Sequence, residues 1–220
     1  MSIIEATKSG FKKERPPVHA RLWTDAALIR LFDIVLAGLV LLFLLPLMAL
    51  AAGAVWLEMQ GAVLFRQQRI GRCGRPFDCL KFRTMTTDAE ARLLDLANAE
   101  WATSRKFRQD ARVTRLGGLL RRSSVDELPQ LLNVLKGEMS LVGPRPIVFD
   151  EAALYGRQLV HYCAVRPGLT GLWQVSGRND VAYPRRVAMD VWLVRNQSLG
   201  VYFGILARTI PAVLSRRGVY

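Results

Sequence analysis

The sequence predicts a mainly α fold with a small β element, held at a membrane by one apolar helix. Three observations predict it. From Ile34 to Leu57 the chain runs for 24 residues without a charge, long enough for the roughly 30 Å hydrocarbon core of a bilayer. Apolar residues then recur at helical spacing over 127–136 and 199–214, whereas strand-like runs are confined to 62–65 and 76–82. The chain is also both oily and basic: 51% of its 220 residues are hydrophobic, and 31 Lys+Arg against 18 Asp+Glu give a net charge of +13.

This composition excludes disorder, collagen-like repeats and a disulfide scaffold. Cys73, Cys79 and Cys163 are an odd number with no CxxC pair, which argues against a zinc site or a disulfide framework. The excess of basic residues calls for an anionic partner: nucleic acid, anionic lipid or a phosphorylated substrate.

In chain order, residues 1–27 are a polar, basic N-terminal arm, 28–58 a membrane helix, and 59–220 a cytoplasmic or interfacial domain. Residues 8–33 and 58–83 each hold six Lys/Arg, so the flanks lack the asymmetry that orients a spanning helix. Pro46 stands near the middle of the apolar run, where it removes a helical hydrogen bond and bends the helix. A re-entrant hairpin and a kinked spanning helix both satisfy these facts. Runs 62–65 and 76–82 read as strands around a Gly71/Gly74 turn, and 88–107 as a helix. Residues 127–136, with Leu128, Leu131, Leu132 and Leu135, form an amphipathic helix, and 150–163 another. The stretch 186–196 is ambiguous between helix and strand. The tail, with Leu199, Phe203, Leu206, Ile210 and Val213 on one side, suits an interfacial helix as well as a core one.

Three clusters carry chemistry. Asp126 and Glu127 precede Pro129 at the start of the amphipathic helix, where free N–H groups favour anions, with Arg121 and Arg122 just upstream. A phosphate there would meet guanidinium forks and a carboxylate nucleophile. Ser124 to Glu127 also fits a capping box, the favoured explanation on spacing alone. Second, Pro144 and Pro146 bracket and stiffen Arg145. Third, 165–180 gathers three glycines with Arg166, Arg178, Trp173 and Gln174; Trp173 is offered for stacking on a base, the arginines for a diphosphate. Arg66, Arg69, Arg72 and Arg75 recur every three residues. Their nearness to the membrane segment favours anionic lipid over nucleic acid, which is not expected as a partner.

Together, RLFDIVLA (30–37), FRQQRIGRCGRPF (65–77), KFRTM (81–85), RVTRLGGLLRRSSVDELPQLLNVLKGEMSLVGPRP (112–146) and VRPGLTGLWQVSGRN (165–179) resemble the bacterial sugar transferases. These are monotopic polyprenyl-phosphate phosphoglycosyl transferases that begin surface-glycan assembly. The resemblance covers about residues 28–210 and is similar to the short, catalytic-domain-only form. It implies a re-entrant helix broken at Pro46, although Leu45 stands where many members have Ser. It further implies transfer of a sugar-1-phosphate from a UDP-sugar to undecaprenyl phosphate, at the cytoplasmic face of the bacterial inner membrane. Asp126 matches the nucleophile and Mg²⁺ ligand, Glu127 its partner acid, and Arg121 a lipid-phosphate contact. Lys81, Arg145, Trp173, Gln174 and Arg178 match the nucleotide-sugar side. Pairing of exposed apolar helices would give a homodimer. A non-catalytic membrane scaffold would account for the charge and hydropathy, but not for a carboxylate pair beside Arg121-Arg122.

Overall fold

The computed structural model describes residues 20–59, 61–86, 88–89 and 110–215, with side chains from residue 25 onward except that of Asn179. The expected helix over 88–107 lies almost wholly outside the described residues, as do residues 1–19 of the arm.

Helix α1 (Ala20–Met59) is a single 40-residue assignment with Pro46 inside it. It begins ahead of the expected boundary at residue 28. Among the described residues it is the one helix long and apolar enough to cross a membrane. Both of its halves pack against the same domain. Ile29, Phe32, Leu36, Ala37 and Leu41 join a core with Leu131, Val134, Leu141 and Tyr202. Met48, Ala51 and Val55 join another with Phe82 and Leu120. Between them, around Pro46, Leu42 (72%), Phe43 (82%) and Leu50 (73%) are bare, a lipid-facing surface by composition.

Strands β1 (Leu64–Ile70) and β2 (Pro76–Phe82) form an antiparallel hairpin, Leu64 opposite Phe82 and Ile70 opposite Pro76. Its turn, Arg72–Gly74, places Cys73 at φ 59° and Gly74 at φ 72°. Because strand side chains alternate in twos, arginines spaced by three cannot share a face. Arg66, Arg72 and Arg75 are exposed, whereas Arg69 turns inward and donates to the Pro146 carbonyl at 2.9 Å. The expected four-arginine surface patch is therefore corrected to three.

Helix α2 (Arg115–Ser123) is capped by Thr114, whose hydroxyl accepts from the Gly117 N–H at 2.9 Å and donates to Glu58 at 2.8 Å, tying it to the end of α1. Helix α3 (Gln130–Lys136) buries Leu131 and Val134, and its last carbonyls are capped by Arg30 of α1, which donates to Val134 and Leu135. Strands β3 (Ser140–Val142) and β4 (Gly168–Thr170) pair in parallel. They meet at Gly143 and Gly168, where a Cβ on Gly168 would lie 2.1 Å from the Gly143 nitrogen. The expected helix over 150–163 is divided into α4 (Ala152–Tyr155) and α5 (Leu159–Ala164), because Gly156 adopts φ 50°.

Helices α6 (Leu172–Ser176), α7 (Tyr183–Arg195) and α8 (Leu199–Ser215) complete the chain. The ambiguity over 186–196 is resolved as helix. In α8 the buried face is Tyr202 and Ile205, while Phe203, Ile210 and Leu214 of the apolar sequence are exposed. Asp33 of α1 fastens these layers together: its Oδ1 accepts from Ser140 Oγ (3.0 Å), the Leu141 N–H (2.8 Å) and the Tyr202 hydroxyl (2.9 Å).

Candidate active site

Helix α2 ends at Ser124, which takes the left-handed conformation at φ 59°. The chain then makes a one-turn 3₁₀ helix, Val125–Glu127, before entering α3. Ser124 thus closes α2, its N–H donating to the carbonyls of Leu120 and Arg121, and its side chain does not cap the 3₁₀ turn. The capping box that spacing favours is not formed: a residue turned left-handed to end one helix does not aim its hydroxyl at the amides of the next. The same turn carries Asp126 inward, where it is 8% exposed.

Burial, and then the neighbouring charge of Glu127, push the Asp126 carboxyl up to about 6, while Lys81, Arg121 and Arg145 pull the other way. Glu127 Oε1 accepts from Lys81 Nζ of β2 at 2.6 Å and lies 3.8 Å from the Arg145 guanidinium. Arg121 points inward, its Nε donating to Thr84 Oγ1 at 2.9 Å, with Asp126 the foremost carboxylate in its field. Arg122 on the next position is exposed, so one guanidinium of the expected pair faces the site.

A small cleft opens beside the dyad, lined by Arg69, Lys81, Glu127, Gln130, Arg145 and Gln174. Arg145 stands on the loop between β3 and α4. The Gln174 Nε2 donates to the Leu169 carbonyl at 3.1 Å, leaving a buried Oε1 with no partner. Arg178 is half-buried in a turn at φ 52° outside that lining, with Glu127 the charge it feels. Trp173 is 3% exposed. The Arg186 guanidinium lies 4.9 Å and that of Arg145 5.8 Å from its ring centroid, so the ring supports arginines rather than presenting a face to a base. Arg166 donates to the Gly137 carbonyl at 2.8 Å, at the end of α3, and serves structure there. Cys79 also borders the cleft, but burial raises its thiol, which makes it a poor nucleophile.

Sequence reasoning missed Arg69, Gln130 and two buried polar residues beneath the site. Asn133, fully buried, clips α3 to β2: its Oδ1 accepts from the Leu80 N–H at 3.0 Å and its Nδ2 donates to the Asp78 carbonyl at 2.8 Å. Asp190 accepts from the Tyr155 hydroxyl at 2.7 Å. Burial pushes its carboxyl up to about 7, opposed by Tyr155, Arg145, Trp173 and Arg186. A polar residue inside an otherwise apolar helical stretch is the available signal for both.

A buried carboxylate among three cations, beside a helix long and apolar enough to cross a membrane, is equipped to handle a phosphorylated substrate. Residues 24–216 match the family described as bacterial sugar transferase. The chain belongs to the bacterial sugar transferase family. Relatives of this transferase include the exopolysaccharide production protein ExoY of Sinorhizobium fredii, 49% identical over 87% of each chain. The undecaprenyl-phosphate galactose phosphotransferase of Salmonella typhimurium is 45% identical, over 87% of this chain and 41% of its own. The UDP-glucose:undecaprenyl-phosphate glucose-1-phosphate transferase of Caulobacter vibrioides is 43% identical, over 87% of this chain and 71% of its own.

Proposed function

We propose that this transferase moves a sugar-1-phosphate from a UDP-sugar to undecaprenyl phosphate, an early step of exopolysaccharide or other surface-glycan synthesis. The observation that carries the reading is Asp126, a buried carboxylate held at about 6 with Lys81, Arg121 and Arg145 around it. It is ionised at neutral pH yet poorly solvated, which suits a nucleophile.

An Asp126 oxygen attacks the β-phosphorus of the donor. The P–O bond to the α-phosphate breaks and UMP leaves with the electron pair. A phosphate oxygen of undecaprenyl phosphate then attacks the same phosphorus, the bond to Asp126 breaks, and the carboxylate is restored as undecaprenyl-diphosphate-sugar departs. Lys81 and Arg145 offset the donor's charge while holding Glu127. Arg121, on the α2 side of Asp126, meets the lipid phosphate. Gln174 and Arg178 contribute to the donor side. Two half-reactions on one carboxylate imply ping-pong kinetics.

Among the described residues no group of three or more His, Cys, Asp or Glu is gathered. Mg²⁺ nonetheless fits, since it is commonly held by one or two carboxylates with substrate phosphates. Asp126 would be its protein ligand, because Glu127 is engaged by Lys81. When bound, the ion would supply charge neutralisation at the transferring phosphoryl group.

The membrane helix is read as re-entrant, with both ends at the cytoplasmic face of the inner membrane. Supporting this, the two halves of α1 pack on one domain, and exposed apolar residues line the helix on both sides of Pro46, from Leu28 to Leu57. Such a helix keeps Asp126 at headgroup depth, where a polyprenyl phosphate arrives laterally.

The test is nucleotide release by the purified protein with Mg²⁺ and undecaprenyl phosphate across a panel of UDP-sugars, with Asp126→Asn alongside. UMP from one donor, lost in the variant, is expected. UDP as product, or UMP release undiminished in Asp126→Asn, would overturn the covalent mechanism.

A further inference from the structure

Just beyond the end of β2, Thr84 is buried and its backbone is pinned to the start of α2. Its carbonyl accepts from the Thr114 N–H at 3.1 Å, and the Thr86 N–H donates to the Arg112 carbonyl at 3.0 Å, with Met85 paired to Val113 between them. The first turn of α2 then passes over Thr84 at Gly117, where an added Cβ would lie 2.1 Å from the Thr84 carbonyl oxygen and 2.8 Å from its Cα. Arg121 follows one turn later on the same helix face. Helical side chains lean back toward the N-terminus, so Arg121 leans over the turn that Gly117 leaves bare. Its Nε donates to the Thr84 hydroxyl at 2.9 Å. Among the described residues this is the only hydrogen bond of its side chain, and both Nη groups remain for an anion. This corner adjoins the membrane helix: Leu120 packs with Ala51 and Val55 of α1, and the Thr114 hydroxyl donates to Glu58 at 2.8 Å. The cleft lined by Lys81, Arg145 and Gln174 does not include Arg121.

We propose that Thr84 is a positioning residue for the second half-reaction: its hydroxyl holds the Arg121 Nε so that the two Nη groups meet the phosphate of the lipid acceptor. This rests on the assignment of Arg121 to that phosphate. A guanidinium is a rigid plane of N–H donors, so fixing Nε fixes the direction of the others. Thr84 itself touches no substrate. Its carbonyl, not its hydroxyl, carries the bridge to α2. Thr84→Val therefore keeps the shape and the backbone bonds and removes one acceptor, whereas Thr84→Ser keeps that acceptor.

The experiment is steady-state kinetics of the full-length protein with Mg²⁺, a UDP-sugar and undecaprenyl phosphate, for Thr84→Val, Thr84→Ser, Arg121→Ala and the double variant Thr84→Val/Arg121→Ala. In a ping-pong reaction kcat/KM for the donor reports the first half-reaction, and kcat/KM for the acceptor the second. Thr84→Val should lower kcat/KM for undecaprenyl phosphate about tenfold, the scale of one hydrogen bond to a charged group, and leave the donor value at wild type. Thr84→Ser should keep the acceptor value, and in the Arg121→Ala background Thr84→Val should add nothing. A merely structural Thr84 would instead lower both values together, or act by the same factor with or without Arg121; either result overturns the proposal. So does a wild-type acceptor value in Thr84→Val. If that variant does not fold, Thr84→Ala, which also lacks the hydroxyl, decides by the same criteria. If wild-type protein transfers no sugar-phosphate, or Arg121→Ala leaves the acceptor value unchanged, the assignment of the reaction or of Arg121 falls separately. The hold on Arg121 is then read from its modification by phenylglyoxal, mapped by mass spectrometry: faster in Thr84→Val than in wild type if the hydroxyl holds it, equal if it does not.

Discussion

Replacing Asp126 by Asn should abolish turnover and, through the same electrostatics, stabilise the fold at alkaline pH. The carboxyl titrates at about 6 in the folded protein against an ordinary 3.8. An acid that holds its proton more tightly folded than unfolded weakens the native state once it ionises. The penalty is absent below about 3.8, grows as pH rises, and is complete above about 6. A gap of about two units corresponds to about 3 kcal/mol. The attraction of Lys81, Arg121 and Arg145 is already inside this figure, since they pull against burial and lose. Glu127 is the second cause of the shift and its own ionisation shares the strain, so relief of about 2 kcal/mol is expected. For a domain of this size that is about 4–8 °C in Tm. The assay is thermal unfolding of both proteins in one detergent or nanodisc at pH 4 and pH 8. The variant should gain at pH 8 and gain nothing at pH 4. No gain at pH 8, or an equal gain at both, would refute the argument that a desolvated charge at this position opposes folding. Stability surrendered at a reactive group is the usual exchange at active sites.

The geometry sets three further outcomes. Gly168→Ala puts a Cβ 2.1 Å from the Gly143 nitrogen and 2.5 Å from the Thr170 carbonyl oxygen, both backbone atoms. Parting β3 from β4 should cost about 3–5 kcal/mol in overpacking and lost strand bonds; a denaturation midpoint within about 1 kcal/mol of wild type would sink the idea. Asn133→Ala strips the partners from the Leu80 N–H and the Asp78 carbonyl and should cost about 2–4 kcal/mol, with faster hydrogen exchange at the Leu80 amide as its local signature. Pro46→Leu restores the helical hydrogen bond at the middle of α1 and should favour a spanning helix. Cysteine labelling that still finds both flanks cytoplasmic, with activity retained, would show that Pro46 is not the determinant.

Elements written locally in the chain were legible from sequence. The 24 uncharged residues from Ile34 to Leu57 specify a bilayer-length helix because hydropathy and rise per residue suffice to define one. The hairpin was readable from two apolar runs about paired glycines, and the Asp126-Glu127 pair from its place between two arginines and a proline. Lys81, Glu127, Arg145 and Gln174, distant in sequence, do line one cleft. Matching motifs brought those names forward; composition alone did not.

The facing of each side chain belonged to the tertiary structure. Arg69 turns into the cleft while Arg66 stays outside, because a strand alternates in twos and the arginines repeat in threes. Ser124 ends α2 in a left-handed conformation instead of capping α3, a choice made by the junction between two helices rather than by the tetrapeptide. Trp173 disappears under Arg145 and Arg186 because the loop after β3 and the neighbouring helix α7 each bring a guanidinium over its ring. Asn133 and Asp190 stand out in the sequence only as polar residues in apolar stretches, since a buried polar side chain acquires meaning only from partners dozens of residues away. Local pattern sets which elements form, and the long-range pairing of buried polar groups, each too costly to leave unsatisfied, sets where they point.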